Sequence, residues 1–528
     1  MLHTFIIYIT LILVILLLVM LAEKLRIAYP IVLVLGGLVL SFFDGSHVIS
    51  INPDLIFIIF LPPLLYEAAW NTSWKKLWYW RRVIASFAFL IVLVTSLVVA
   101  VISSAVLPGF TLALGFLLGG IVSPPDAVSA TSVLKYVPVS KALSAIVEGE
   151  SLLNDASSLI VFRFALIAVD TGRFVFHEAA LSFVLVIVMG TLIGLGVALI
   201  YYAIYKWLPT STNMDIVLSL TAPYVMYIAA ESFHFSGVLA VVSGGLFLSL
   251  KSHLFLSQRS RLRGGNFWST LGFVLNGLVF MLIGLQLPVI VDQLGSVKLS
   301  QAIGYGLLIS AVLIVARILC TLSASAFTKW ISQYITTADN NPGWRGPLIF
   351  GWAGMRGVVS LAAALSIPLH LSSGAPFPQR DLILFITFMV ILVTLVVQGL
   401  TLPLVIRWLH PENRNPFLPE QEQERILRKK LAYYGLQFLN DGNGEVIEGN
   451  RALQQLRARF ENDQLPVEEN MDQVHEDYRR VYLQLLERQR KVLHELNKKN
   501  EIEDEIVRKY LTMLDLEEEK LRMKFEGV

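Results

Sequence analysis

Apolar residues run through the first 409 positions of this 528-residue chain in segments long enough to cross a bilayer. A membrane-spanning helix needs about 20 mostly apolar residues. Breaks at polar, proline or glycine residues divide the region into thirteen predicted helices: 4–22, 30–43, 54–70, 83–106, 112–134, 141–169, 176–206, 214–232, 236–251, 267–287, 300–329, 346–369 and 381–408. The pattern therefore predicts an all-α, polytopic membrane protein. The first segment lacks a basic start and a small-residue cleavage site, so we expect a retained helix rather than a signal peptide.

The last 119 residues have a different composition. They hold 20 Lys and Arg and 25 Asp and Glu, more than half of the 82 charged residues in the chain. Apolar residues recur there at three- and four-residue spacing between charges, which is typical of amphipathic surface helices. We therefore predict a transmembrane domain at 1–409 and a cytoplasmic helical tail at 410–528. The tail is either a small domain that packs on itself or on a twin, or a regulatory sensor, and no motif identifies a ligand or partner for it.

Basic residues between the predicted helices fall mostly on one side of the membrane. With the N-terminus outside, the inward loops carry fifteen Lys and Arg and the outward loops carry three. Cytoplasmic loops of membrane proteins are enriched in these residues. The pattern predicts a multi-pass protein of a plasma or inner cell membrane, with the C-terminus in the cytoplasm.

Two of the predicted helices contain helix breakers near mid-membrane. Pro124 and Pro125 interrupt the fifth helix, where two missing amide donors force the backbone open. Three glycines surround Arg356 in the twelfth helix and loosen it less forcefully. Irregular backbone at this depth occurs only where it is buried in protein or lines a cavity. The seven-helix offset is what two inverted six-helix repeats and a linker produce, and broken helices at matching positions indicate a midplane transport site.

Asp155 is the strongest candidate for an ion site among the few ionisable residues inside the predicted spans. It lies fourteen residues beyond the start of the sixth helix, near the midplane. Ser151 and Ser158 share its helix face, and Glu148 lies on that face two turns away. These oxygens suit a hard cation such as Na⁺. A buried carboxylate can hold a cation or a proton but not both, and this competition is sufficient for antiport. Asn154 can donate and accept, so it can tie down broken backbone.

The other buried charges receive structural or peripheral interpretations. Glu150 lies roughly 140° round the helix from the aspartate and needs a cationic partner on another helix. Arg317 in the eleventh helix is the first candidate and Arg356 is the alternative. Glu67 follows a Pro-Pro pair and is either a cation ligand or a charge at the entrance to the site. Arg163 is expected to extend outward toward water.

Four segments together resemble one transporter family. They are FLPPLLYEAAW, VSPPDAVSA, EGESLLNDASSL and GWAGMRGVVSLA. The resemblance is to the monovalent cation:proton antiporter-1 family, the bacterial and eukaryotic sodium/proton exchangers, and it covers roughly residues 10–408. The G-E-S-L-x-N-D string combined with the later glycine-arginine motif is what makes the resemblance specific.

The resemblance implies a role for each matching residue. Asp155 would be the essential ion- and proton-binding carboxylate, and Asn154 before it would mark an electroneutral member. The residues implied to surround a bound Na⁺ are Asp126, Ser151 and Glu67. The implied structural salt bridge joins Glu150 to Arg317. The implied crossing segments carry Pro124, Pro125 and Arg356. The family is typically homodimeric. Here Pro125 stands where many members have a hydroxyl residue beside the aspartate, which leaves the ion preference open.

We therefore expect a secondary antiporter that exchanges cytoplasmic Na⁺ or Li⁺ for H⁺ by alternating access and serves pH and sodium homeostasis. Potassium/proton exchange uses the same ligand types and stays open. A cation channel is disfavoured, because no selectivity-filter loop or acidic ring is present. An enzyme is not expected, because neither H-E-x-x-H nor a G-x-S-x-G with a mid-span His occurs.

Cofactors and nucleic acid are not expected either. Cys320 is the only cysteine, so a disulfide framework, zinc ribbon or redox pair cannot form within the chain. The net charge of +2 averages two unlike regions and gives no reason to expect nucleic acid. The species handled would be the transported Na⁺ and H⁺, in contact with membrane lipid and a second copy of the chain.

Overall fold

The computed structural model describes most of the chain. The described residues are 2–43, 53–137, 139–172, 176–294, 297–334, 339, 342–411, 420–441, 450–464, 471–496 and 504–525. They divide into two compact units, Met1–Asn415 and Pro416–Val528. Within these ranges the regular structure is helical and no strand occurs.

The first unit contains sixteen helices in its described residues. They are α1 (Leu2–Leu25), α2 (Tyr29–Phe43), α3 (Pro53–Asn71), α4 (Trp74–Val106), α5 (Leu112–Val122), α6 (Ala127–Leu134), α7 (Lys141–Thr171), α8 (Phe176–Trp207), α9 (Thr212–Glu231), α10 (Gly237–Phe255), α11 (Gln258–Leu285), α12 (Leu287–Asp292), α13 (Leu299–Ile331), α14 (Arg345–Trp352), α15 (Val358–Leu365) and α16 (Arg380–Leu409). A π-helical turn interrupts α4 at Ser86–Ile91 and α16 at Thr394–Gln398.

Hydroxyl residues start many of these helices. Thr111, Ser140, Ser211, Ser236 and Ser257 each accept a hydrogen bond from the backbone N–H three residues ahead. Such caps satisfy one of the amide groups that a helix leaves unpaired at its start. The connections are therefore set locally, by short polar sequences between apolar runs.

The predicted thirteen segments all coincide with helical structure. The helix that contains the fourth segment begins nine residues earlier than predicted, at Trp74, because the aromatic and basic residues of that stretch also form helix. Among the described residues, eight helical segments are long and apolar enough to cross a membrane by length and composition. The total number of spans and the inverted repeats stay predictions.

The apolar side chains of the first unit form two clusters. Cluster 1 contains buried residues from α1, α2, α4–α6 and α11–α16, and cluster 2 contains buried residues from α3, α8–α10 and the start of α11. α7 belongs to both: Phe162 is buried in cluster 1, and Leu152 and Ala156 are buried in cluster 2. Leu159 packs against both clusters. The helix that carries Asp155 therefore lies on the boundary between them.

The second unit is a set of four amphipathic helices in its described residues. They are α17 (Glu420–Asn440), α18 (Arg451–Gln464), α19 (Met471–Leu496) and α20 (Asp504–Phe525). α17 contacts α18 and α19 contacts α20. Arg490 on α19 forms ion pairs with Asp515 and Glu518 on α20. These two carboxylates raise the pKa of Arg490, mainly through hydrogen bonds.

Close helix packing in cluster 1 depends on small residues, which gives a testable prediction. A Cβ added at Gly119 would lie 2.5 Å from the Ser96 carbonyl oxygen on α4. We expect Gly119→Ala to lower the free energy of unfolding by about 1–3 kcal/mol, because the added methyl overpacks backbone that cannot move aside. Thermal unfolding in detergent measures the change.

Gly196→Ala is the matched control, because a Cβ at Gly196 meets no atom within 4 Å. Alanine in an open helix position stabilises rather than destabilises. Equal stability of the two variants would contradict the packing argument.

Candidate functional site

The first helix break lies between α5 and α6. Its prolines, Pro124 and Pro125, separate Val122 at the end of α5 from Asp126. The Asp126 carboxylate accepts the backbone N–H groups of Val128 and Ser129, both at 3.2 Å, and the Ser129 hydroxyl at 2.5 Å. Asp126 is therefore the N-cap of α6 and satisfies the amides that the break exposes.

The second break lies between α14 and α15 and touches the first. The Asp126 backbone N–H donates to the Met355 carbonyl oxygen at 2.7 Å. A Cβ at Gly357 would lie 2.5 Å from a carboxylate oxygen of Asp126. The glycine thus makes room for the aspartate of the other break, which is a steric role in addition to loosening the helix.

Arg356 joins the carbonyl ends of the broken helices. It is fully buried. Its Nε donates to the Val122 carbonyl at 2.8 Å, its Nη2 donates to the Ser123 carbonyl at 3.4 Å, and its Nη1 donates to the Gly354 carbonyl. Its backbone N–H donates to the Thr394 hydroxyl in the π turn of α16. A guanidinium at two helix C-termini both satisfies free carbonyls and balances their negative dipole ends.

Asn154 and Asp155 lie on α7 against the first break. Asn154 is fully buried and its Nδ2 donates to the Pro125 carbonyl at 2.9 Å, while its Oδ1 has no hydrogen-bond partner. Asp155 is 8% exposed. Among the described residues, its carboxylate has neither a hydrogen bond nor a basic partner within salt-bridge distance. The aspartate is thus the one member of the pair left without a structural bond.

The serines near Asp155 bond mainly to backbone. The Ser151 hydroxyl accepts the Ala127 N–H at 3.1 Å, at the start of α6. The Ser158 hydroxyl donates to the backbone carbonyl of Asp155 at 3.4 Å. Ser157, which the sequence did not single out, donates to the Ala88 carbonyl in the π turn of α4. Ser151 therefore lies beside Asp126, and one face of α7 holds the first break in place.

Glu67 lies on α3 and faces α11. Its carboxylate packs against Gly272 of α11, where an added Cβ would collide with it. Tyr29 lies on α2, which contacts α6, and is close enough to Glu67 and Asp126 for their charges to act on it. Tyr29 was missed in the sequence, because only tertiary packing brings α2 to α6.

Glu150 and Arg317 form a buried ion pair. Nη2 of Arg317 lies 2.9 Å from both carboxylate oxygens of Glu150, and the two side chains are 3% and 2% exposed. The arginine side chain crosses Gly354, where a Cβ would collide with it. Nε of Arg317 has no partner. Arg356, the alternative partner, is bonded to carbonyls instead.

A cavity of about 10 Å³ lies between this ion pair and the first break. Such a volume accommodates about one water molecule. Its lining includes Asp126, Ser151, Glu150 and Arg317. Arg317, whose Nε is a buried donor without an acceptor among the described residues, belongs to this lining.

Two further charged residues of α7 face charged residues of other helices. Arg163 does not extend freely into water but pairs with Glu231 at the end of α9, a partner that helical spacing alone does not predict. Glu148 is exposed, and Lys76 of α4 is near enough for its charge to act on the Glu148 carboxylate. The spacing rule placed both residues on α7 correctly but could not show what faces them.

Similarity to known proteins covers the whole membrane region. The family model described as "Sodium/hydrogen exchanger, transmembrane" matches residues 9–408. The chain is 35% identical over 383 residues to the "Sodium, potassium, lithium and rubidium/H(+) antiporter" of Bacillus pumilus, a match that covers 70% of this chain and 56% of that protein. It is 30% identical over 514 residues to the "Uncharacterized Na(+)/H(+) exchanger Rv2287" of Mycobacterium tuberculosis, covering 95% of this chain and 93% of the relative.

Solved structures show the same fold. The sodium proton antiporter MjNhaP1 from Methanocaldococcus jannaschii, determined at pH 8, aligns with a TM-score of 0.61 at 21% identity. The alignment covers 78% of this chain and 100% of that chain. At this identity the likeness concerns the architecture alone.

The buried ion pair gives a second prediction. Glu150→Gln leaves the Arg317 charge buried without a counter-charge, so we expect a loss of about 3–5 kcal/mol in the free energy of unfolding. Thermal unfolding and the yield of folded protein in detergent measure it. The double variant Glu150→Gln, Arg317→Met removes both charges and should be more stable than the single variant. A double variant as unstable as the single one would contradict the pairing argument.

Proposed function

Because the chain belongs to the sodium/hydrogen exchanger family, we propose that it exchanges cytoplasmic Na⁺ or Li⁺ for H⁺ at Asp155 by alternating access. We further propose that the exchange is electroneutral and serves pH and sodium homeostasis. One observation carries the proposal. Asp155 is buried beside the crossing of two broken helices, and its carboxylate has no structural partner among the described residues.

The chemistry follows from the cost of a buried charge. A carboxylate away from water is stable only when it is protonated or paired with a cation. Because one carboxylate binds one or the other, arrival of Na⁺ expels the proton and arrival of a proton expels Na⁺. Asn154 adds no second charge, so a single proton replaces a single Na⁺ and no net charge moves.

The remaining Na⁺ ligands are proposed from oxygen atoms near Asp155. A hard cation takes carboxylate, carbonyl and hydroxyl oxygens. Asp126 and Ser151 already accept hydrogen bonds at the start of α6, and both retain free lone pairs. The unpaired Oδ1 of Asn154 and the carboxylate of Glu67 are the other candidates. This set contains oxygens only.

Potassium is the second candidate cation. The Bacillus pumilus relative is named for sodium, potassium, lithium and rubidium, which supports a site of broad selectivity. Pro125 also stands where a hydroxyl side chain would otherwise be available as a ligand. Fewer fixed ligands around the ion favour tolerance of ion size.

The assembly and orientation are part of the same proposal. We propose a homodimer in the plasma or inner cell membrane, with the N-terminus outside and the tail in the cytoplasm. The excess of basic residues in the predicted inward loops supports this orientation. The many exposed large apolar side chains of α4, α8 and α13 suit contact with lipid or with a second copy of the chain.

Everted vesicles with an imposed pH gradient provide the test. Adding NaCl, LiCl or KCl in turn should dissipate the gradient for each transported cation. We expect Asp155→Asn to abolish dissipation by all of them while folded protein stays at the wild-type level, because the amide can neither release a proton nor balance a cation.

Asp381→Asn is the matched control, because the Asp381 side chain is 47% exposed and lies outside the site. It should exchange at the wild-type rate. Full activity of Asp155→Asn would refute the site. Dissipation that changes when the membrane potential is clamped would refute electroneutral exchange.

A further inference from the structure

Arg163 and Glu231 form an ion pair near the Gly172 end of α7. Arg163 lies on α7 two turns beyond Asp155, and its Nη2 contacts a carboxylate oxygen of Glu231 at the end of α9. Nη1 of the same arginine donates to the His234 carbonyl at 3.4 Å. The arginine is thus bound to both the end of α9 and the turn that follows it.

The turn between α9 and α10 is built around the same glutamate. The second carboxylate oxygen of Glu231 accepts the Gly237 N–H at 3.1 Å, at the start of α10. His234 has a left-handed backbone with φ 61°, which reverses the chain direction. A Cβ at Gly237 would lie 2.6 Å from the Tyr227 ring and 3.0 Å from Cγ of Glu231. The glutamate is therefore held in place from the α9–α10 side and presents one oxygen to α7.

This ion pair joins the two apolar clusters. On the α7 side, Phe162 next to Arg163 is buried in cluster 1. On the other side, Ala230 next to Glu231 is buried in cluster 2. Leu159, one turn before Arg163, packs against both clusters. The pair therefore spans the boundary beside which Asp155 lies.

Asp170 and Ser372 form a second polar contact near the same end of α7, and this contact lies within cluster 1. The Asp170 carboxylate accepts the Ser372 N–H at 2.8 Å and the Ser372 hydroxyl at 2.9 Å. Val169 and Leu371, the neighbours of these two residues, both pack against cluster 1. This contact does not cross the boundary, so separation of the clusters leaves it intact.

We propose that Arg163 and Glu231 are positioning residues of the exchange cycle: their ion pair holds the two clusters together at the Gly172 end of α7, closes the route to Asp155 from that side, and separates when the site opens there. The inference rests on the proposed function, because it assigns one access state of the antiporter to this pair. In the predicted orientation the closed route is the outer one.

The exposure of the pair suits a contact that breaks in every cycle. The Arg163 and Glu231 side chains are 41% and 28% exposed, in contrast to the enclosed Glu150–Arg317 pair. A partly exposed ion pair shifts an equilibrium by about 1.4-fold to fivefold. That is enough to favour the closed arrangement and small enough to leave the open one accessible.

Cysteine accessibility tests the proposed role of the Arg163–Glu231 ion pair independently of transport. In a Cys320→Ala background, Leu159→Cys places a thiol at the boundary, one helical turn from Arg163. A membrane-impermeant maleimide is added to either face of sealed vesicles. We expect Glu231→Gln to raise the labelling rate by about 1.4-fold to fivefold from the face at the Gly172 end, because the closed population falls.

Two further variants distinguish opening at the Arg163–Glu231 ion pair from a general loosening of the fold. The charge exchange Arg163→Glu, Glu231→Arg should return labelling toward the wild-type rate, since it restores the attraction. Asp170→Asn weakens the contact between Asp170 and Ser372, which lies within cluster 1, and should leave the labelling rate unchanged. Equal labelling in Glu231→Gln and wild type, or an equal rise in Asp170→Asn, would overturn the proposal.

Transport measured from each face supplies the second readout. A more open outer route makes the site more available from that side, so the half-saturating Na⁺ concentration should fall there and rise at the opposite face. A merely damaged fold would shift both faces in the same direction, and that result would also overturn the proposal. Retained transport by Asp155→Asn would refute the proposed ion site. The labelling result would still report whether the Arg163–Glu231 ion pair closes the route, so the failure of one proposal can be distinguished from the failure of the other.

Discussion

The structure of the site depends on satisfying backbone groups that two helix breaks expose inside an apolar region. Each unpaired amide or carbonyl costs several kcal/mol in such surroundings. Asp126 caps the start of α6, Asn154 donates to the carbonyl of Pro125, and Arg356 donates to carbonyls at both breaks. The Asp126 N–H bonded to Met355 then fixes one break against the other. Irregular backbone persists here because polar side chains replace the missing helical hydrogen bonds.

This requirement divides the buried charges into two groups. Arg356 donates hydrogen bonds to backbone carbonyls at the breaks, and Glu150 and Arg317 neutralise each other. Asp126 is partly used as a cap. Among the described residues, the Asp155 carboxylate has no such bond, and the same holds for the Glu67 carboxylate and for Oδ1 of Asp215. The charges with structural partners hold the crossing together, and under the proposed function the carboxylate of Asp155 is the one that binds a proton or a cation.

The position of α7 links this site to the rest of the membrane unit. One face of the helix packs in cluster 1 with the broken helices, and another packs in cluster 2 with α3 and α8–α10. A movement of one cluster relative to the other must therefore change the packing around the helix that carries Asp155. Contacts that cross the boundary, such as Arg163 with Glu231, bear on access to the site, whereas contacts within a cluster preserve its shape.

The sequence by itself determined the helical class, the charged tail, the two breaks and the helix that carries Asp155, because these depend on local hydrophobicity, on proline and on helical spacing. Only the tertiary structure decided the partners. Tyr29 comes near Asp126 and Glu67 from a helix far away in the chain. The Met355 carbonyl and the Thr394 hydroxyl complete the crossing by accepting the backbone N–H groups of Asp126 and Arg356, which helical spacing does not predict. Arg163 meets Glu231 for the same reason: spacing fixes the face of a helix, but packing fixes what lies opposite that face.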